Sequence, residues 1–120
     1  MLQVRSWIKI ADNTGAKIVN VFSVNGKNSN RFARTGDVIS GSVKQVAPNS
    51  SLKKGDKVYA VIVRLRKEMR RKDGSYIRFD ENAVVILDAN KEKPRGGRVF
   101  GPIPREIGEM GFKDIISQAP

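Results

Sequence analysis

The apolar pattern of this chain alternates with a period near two, in short runs that end at glycine, aspartate or asparagine turns. A period of two puts successive side chains on opposite faces of an extended segment, so the chain is committed to strands rather than helices over most of its length. Ile8 and Ile10 point one way and Lys9 the other, and Asp12-Asn13-Thr14-Gly15 then forms a turn. A second run extends from Lys17 to Val24 and stops at Asn25-Gly26, a hairpin-type dipeptide. The polar, basic stretch from Lys27 to Arg34 reads as a loop. Thr35-Gly36-Asp37-Val38-Ile39 and Lys54-Gly55-Asp56-Lys57-Val58 repeat one phrase, a glycine–aspartate turn that feeds a strand, and Pro48-Asn49-Ser50-Ser51 separates the two.

The longest β runs, Val58 to Lys67 and Tyr76 to Leu87, flank Glu68 to Ser75, where Asp73-Gly74 closes the turn. This predicts a long hairpin with a charged far end, projecting as a ribbon over about residues 64–80. A two-stranded arm has too little core to stand alone, so a partner is expected to hold it. After Asp88 the pattern changes. Residues 90–97 read as a loop, Val99-Phe100-Gly101-Pro102 as a short extended piece, and Pro104 as the first turn of a helix. Arg105 to Met110 and Phe112 to Ile116 are expected to form two short helices, the first weakened by Gly108.

With 120 residues the chain is the size of one domain, here residues 1–120. The barrel part covers about 1–88 with its ribbon, and the C-terminal loop and helical segment about 89–120. About five short strands leave exposed edges unless the sheet closes on itself. The expected fold is therefore mainly β, a small closed five-stranded barrel with a projecting β-ribbon and two short C-terminal helices. An open β-sandwich is the alternative.

Charge narrows the role. Lys and Arg number 23 against 12 Asp and Glu, a formal net charge of +11. Such an excess makes the folded chain repel itself, which a polyanion relieves. Histidine and cysteine are absent. That removes imidazole bases, thiol nucleophiles, disulfides and the common soft metal ligands. Asp12 and Asp80-Glu81 are the only suggestive acids; Asp12 reads as a turn cap and the pair as a solvated strand face. Neither an enzyme nor a cofactor is expected. No run approaches the ~18 apolar residues of a membrane span, so a soluble protein is expected.

The cations cluster. Arg64, Arg66, Lys67, Arg70, Arg71 and Lys72 crowd the first arm and tip of the long hairpin, and Arg78 lies on its return strand. By simple alternation Arg64 and Arg66 share one face. Arginine is apt here because its planar fork grips phosphate bidentately. Lys53 and Lys54 add a further point of charge. Arg31 and Arg34 surround Phe32, and Arg95 and Arg98 lie near Phe100. Each phenylalanine is either core or a stacking surface for an unpaired base, with core favoured. Cations spread along the whole chain suit a domain embedded among several RNA segments, recognised by shape and backbone.

Several motifs in order resemble one family: Ala11-Asp12-Asn13-Thr14-Gly15-Ala16-Lys17, Gly36-Asp37-Val38-Ile39, Lys53-Lys54-Gly55-Asp56 and Ala60-Val61-Ile62-Val63. Asp73-Gly74, Phe79, Asn82, Val85-Ile86, Arg98-Val99-Phe100-Gly101-Pro102, Arg105-Glu106 and Ile115-Ile116-Ser117 continue the match. The chain resembles, over essentially its whole length, the universal large-subunit ribosomal proteins numbered fourteen, in their bacterial and organellar form. The resemblance implies a ribosomal location, in a bacterial cytoplasm or an organelle, and binding to large-subunit ribosomal RNA. It further implies a bridge to small-subunit ribosomal RNA and neighbours among the large-subunit proteins numbered three and nineteen. A ribosome-silencing factor is a further implied partner, with Arg98, Phe100, Arg105 and Phe112 as the protein-partner face. Asp114 departs from the family, standing where a basic residue is common. A free-standing barrel that binds single-stranded nucleic acid and a protein-only adaptor are the competing roles.

Overall fold

The computed structural model describes residues 2–3, 7–24, 32–33, 35–48, 52–66, 68–70, 73–79, 81–88, 94–96, 99–101, 103–104, 106–109 and 112–118. In chain order these hold β1 (Leu2–Gln3), β2 (Trp7–Ile10), β3 (Ala16–Val24), β4 (Phe32–Ala33), β5 (Val38–Val46), β6 (Lys57–Arg64), β7 (Met69–Arg70), β8 (Tyr76–Ile77), β9 (Ala83–Leu87), α1 (Glu106–Glu109) and α2 (Lys113–Gln118). Five strands close into a barrel in the order β2-β3-β5-β6-β9. Neighbours are antiparallel except at the seam, where β2 runs parallel to β9 with Lys9 opposite Ala83 and Ile10 opposite Val84. Closure leaves no barrel strand with an unpaired edge, which is the physical case for a barrel over an open sandwich.

Turn chemistry sets where the strands begin. Gly36 and Gly55, the glycines of the repeated phrase, both have positive φ, 90° and 93°. Only glycine adopts that conformation without steric cost, so both strand entries are written locally. Gly41 serves a different purpose: a Cβ there would lie 2.7 Å from the Asn20 carbonyl oxygen, so its absence lets β5 approach β3.

Two cores share the wall formed by β6 and β9. Val58, Ala60, Ile62, Val84 and Ile86 face the barrel interior with Ile8, Val19, Val21, Ile39 and Val43. The alternate residues Val61, Val63, Ala83, Val85 and Leu87 face outward, where Val99, Ile107, Phe112 and Ile115 cover them. Both strands are thus buried on both faces and read as nearly continuous apolar runs. The C-terminal segment exists in its observed place because that outer wall would otherwise lie in water.

Two expectations change. β6 and β9 remain in the barrel wall as far as Arg64 and Ala83, so the hairpin leaves the barrel near the expected start of the ribbon at 64. The ribbon proper is short, Met69–Arg70 against Tyr76–Ile77. At the C-terminus there is one short helix, α2, preceded by the single four-residue turn α1, so two helices is an overstatement. The Asn25-Gly26 turn and the loop from Lys27 to Arg31 lie outside the described residues.

Candidate nucleic-acid interface

The ribbon is built on a small polar base. The Leu65 carbonyl accepts from the Phe79 N–H at 3.0 Å, and the Asn82 Oδ1 accepts from the Arg66 N–H at 2.8 Å. At its tip the Asp73 carboxylate accepts from the Ser75 N–H at 3.0 Å and the Ser75 hydroxyl at 2.6 Å, and Gly74 turns the chain with φ 89°. This frame leaves Arg66, Arg70 and Arg78 exposed, together with Glu68 and Tyr76. Lys67, Arg71 and Lys72 lie outside the described residues, as do Arg31, Arg34, Arg98 and Arg105.

Lys53 and Lys54 are exposed on the turn that enters β6. The Asp56 carboxylate accepts from the Lys53 N–H at 2.8 Å, and the Gly55 N–H donates to the Val43 carbonyl at 2.7 Å. That turn precedes Lys57, whereas the ribbon follows Arg64, so an eight-residue strand separates the two cationic sites. At a rise of roughly 3.3 Å per residue they are more than ~20 Å apart. Arg95, also exposed, lies near the end of β9 away from the ribbon, its N–H donating to the Ile86 carbonyl at 2.9 Å. These loop and ribbon cations therefore sit at opposite ends of the barrel and do not line one groove.

Arg64 is the clear correction among them. It is 5% exposed and belongs to the barrel wall. Its Nη1 donates to the Phe100 carbonyl at 2.8 Å, and its Nη2 meets Glu81 at 3.1 Å. A register shift between Ile62 and Arg64 is responsible: the extra residue re-aims the next side chain outward, under the C-terminal segment. Gly101, with φ 83°, passes directly over the guanidinium, and a Cβ there would collide with Nη1. Arg64 is a clamp between the ribbon base and the C-terminal segment, not a surface cation. Its only trace in the sequence is its position at the end of an unbroken apolar run.

The two C-terminal aromatics assigned to the partner face differ in burial. Phe112, assigned to a partner face, is buried at 9% and packs in the outer core with Ile107 and Ile115. Phe100, for which a core position was favoured, is 50% exposed. Its backbone bridges Ala11 and Arg64, which points the ring away from the wall. The side chain of Phe32 lies outside the described residues.

Asp12 proves to be structural, as the turn-cap reading required. Its Oδ1 accepts from the Thr14 hydroxyl at 2.7 Å and the Thr14 N–H at 3.2 Å, and its Oδ2 accepts from the Ile86 N–H at 2.8 Å. Burial pushes the carboxyl above the ordinary aspartate value, while the hydrogen bonds from Thr14 and Ile86 pull it back part of the way. The Asp12 backbone also forms an isolated β-bridge with Val99, so this one residue ties the β2–β3 turn and the barrel wall through its side chain and the C-terminal segment through its main chain. Among the described residues no group of three acids could hold a metal, and no helix is long and apolar enough to cross a membrane.

A closed barrel with arginines raised on a ribbon at one end and lysines at the other belongs to the class of small basic barrels that bind folded RNA. Residues 1–120 match the family model described as ribosomal protein L14p/L23e. The chain belongs to that family: a large-subunit ribosomal protein that binds ribosomal RNA, located in the ribosomes of the cytoplasm or of an organelle. The family is one of structural ribosomal components rather than enzymes.

Proposed function

We propose that this chain, acting as one domain over residues 1–120, clamps folded ribosomal RNA at the subunit interface and takes part in an intersubunit bridge. The observation that supports this reading is the separation of its exposed cations. Lys53 and Lys54 at one end and Arg66, Arg70 and Arg78 at the other suit two or more RNA segments held at once. Lys67, Arg71 and Lys72 add charge to the ribbon in sequence, and Arg31, Arg34, Arg95 and Arg98 extend the RNA-facing set. The ribbon is the element suited to reaching small-subunit ribosomal RNA, since it stands clear of both cores. Arg98 and Arg105, with Phe100 at the border with the RNA-facing surface, form the proposed face for protein neighbours: the large-subunit proteins numbered three and nineteen, and a ribosome-silencing factor. Phe112 supports that face from beneath.

Sedimentation tests the reading. Near-stoichiometric recovery of the protein with large subunits after a high-salt wash is expected. Recovery mainly in the unbound fraction would refute a structural role.

A further inference from the structure

Three of the four large apolar side chains left exposed among the described residues lie along one surface. Trp7 and Lys9 project from the outer face of β2, because Ile8 between them is buried in the barrel. Their partners on β3, Asn20 and Ile18, project the same way, since Val19 and Val21 face the interior. Phe22 continues this outer row at the diagonal position from Trp7, about 7–8 Å away at Cα by sheet geometry. It sits at a register shift between β3 and β5, where the bulge frees it from direct pairing. At the other end of the row a groove of about 500 Å³ opens, lined by Lys9, Lys17, Ile18, Gln45 and Phe100 among others. Trp7 is 62%, Phe22 46% and Phe100 50% exposed, against a core otherwise almost fully buried.

We infer that this surface, from Phe100 across Lys9 and Ile18 to Trp7 and Phe22, is a stacking strip for a short unpaired segment of RNA. The inference deepens the RNA-binding role proposed above, naming a place and a chemical form of the ligand.

Charge favours RNA over a protein segment. Lys9 and Lys17 are exposed beside the aromatic rings, and the one acid lining the groove, Asp12, is turned inward onto Thr14 and Ile86. Glu81 touches Lys9 only through an exposed pair at 3.4 Å, which screening leaves weak. Aromatic faces interleaved with cations accept bases by stacking and the backbone by charge. Paired RNA keeps its bases stacked on one another and offers no free face, so the strip selects unpaired nucleotides. Phe100 is preorganised for the task. Its N–H donates to the Ala11 carbonyl at 2.6 Å, and its own carbonyl is held by Arg64 at 2.8 Å, so little ordering remains on binding.

Trp7 is the chain's single tryptophan, so its fluorescence reports on this strip alone. The intact protein is titrated at low salt with an unstructured single-stranded RNA of roughly ten nucleotides and with a duplex of equal length, within the size one barrel engages. Binding is read in parallel by anisotropy of the labelled RNA. The single strand is expected to quench Trp7 and the duplex to bind without quenching. Phe100→Leu and Trp7→Leu should each weaken the single strand roughly 5- to 150-fold and leave the duplex within about twofold. Circular dichroism checks that both variants keep the β spectrum. Single-strand binding with no quenching, or equal quenching by both RNAs, overturns the stacking strip and leaves RNA binding intact. Failure of both RNAs to bind overturns the RNA-binding role itself. In intact large subunits, Trp7 should be shielded from hydroxyl-radical oxidation until the RNA is digested. Shielding that survives nuclease would assign the strip to a protein and refute the inference.

Discussion

Replacing Asp12 by alanine should destabilise the fold by about 2–3 kcal/mol at neutral pH. The side chain accepts three hydrogen bonds: from the Ile86 N–H, the Thr14 N–H and the Thr14 hydroxyl. Ile86 lies in the barrel wall at 0% exposure, so truncation leaves its N–H with neither carboxylate nor water. An unsatisfied buried donor costs roughly 1–3 kcal/mol, and each lost bond in the part-exposed turn about 0.5 kcal/mol net. Relief from burying a charged carboxylate offsets part of this, which places the sum in the middle of the range. Urea denaturation measures it. With a slope of roughly 1–3 kcal/mol per molar, the midpoint should fall by about 0.7–3 M with the slope unchanged.

The pH dependence supplies a second check on the same residue. Burial raises the Asp12 carboxyl in the folded chain above its ordinary value of 3.8, so the fold binds that proton more tightly than the unfolded chain does. The stabilisation linked to this proton is complete below 3.8 and is lost as pH rises through the raised folded value. The gap between the native protein and Asp12→Ala should therefore be widest in acid, narrow as pH rises, and level off above that value. A loss below about 0.5 kcal/mol, or a gap that widens with pH, would show that Asp12 does not hold the wall as its geometry indicates.

Two further outcomes are expected. Gly101→Ala should lower the melting temperature and loosen the C-terminal segment, because a Cβ at φ 83° is strained and collides with the Arg64 guanidinium. The left-handed conformation alone costs roughly 1–2 kcal/mol, so a variant melting within a degree or so of the native protein would dismiss the clamp. Reversing Arg66 and Arg70 to glutamate should leave β circular dichroism unchanged, since both are exposed, while reducing RNA affinity and flattening its salt dependence. Loss of two phosphate contacts reduces the log–log salt slope by roughly 1.4–1.8; an unchanged slope would remove the ribbon from the RNA interface.

The strands, their turns and the charge were determined by the sequence itself, because each is a local property. Alternation at Ile8-Lys9-Ile10 needs only neighbouring residues to be read, and the turns at Gly36, Gly55 and Gly74 need only the φ that glycine alone accepts freely. The same holds for the missing histidine and cysteine, and for the surplus of Lys and Arg that points to a polyanion. Tertiary structure decided everything that depended on which surfaces meet. Alternation cannot reveal a parallel seam between β2 and β9, since those strands lie more than seventy residues apart. Nor does composition separate Phe100 from Phe112; the first is turned outward by backbone bonds to Ala11 and Arg64, the second drawn in to cover Val61 and Val85. Arg64 carries the lesson furthest. Its residue type reads as surface, and one extra residue in β6 turned it into a buried clamp. A bulge is a property of two paired strands rather than one, so no reading of either strand alone contains it.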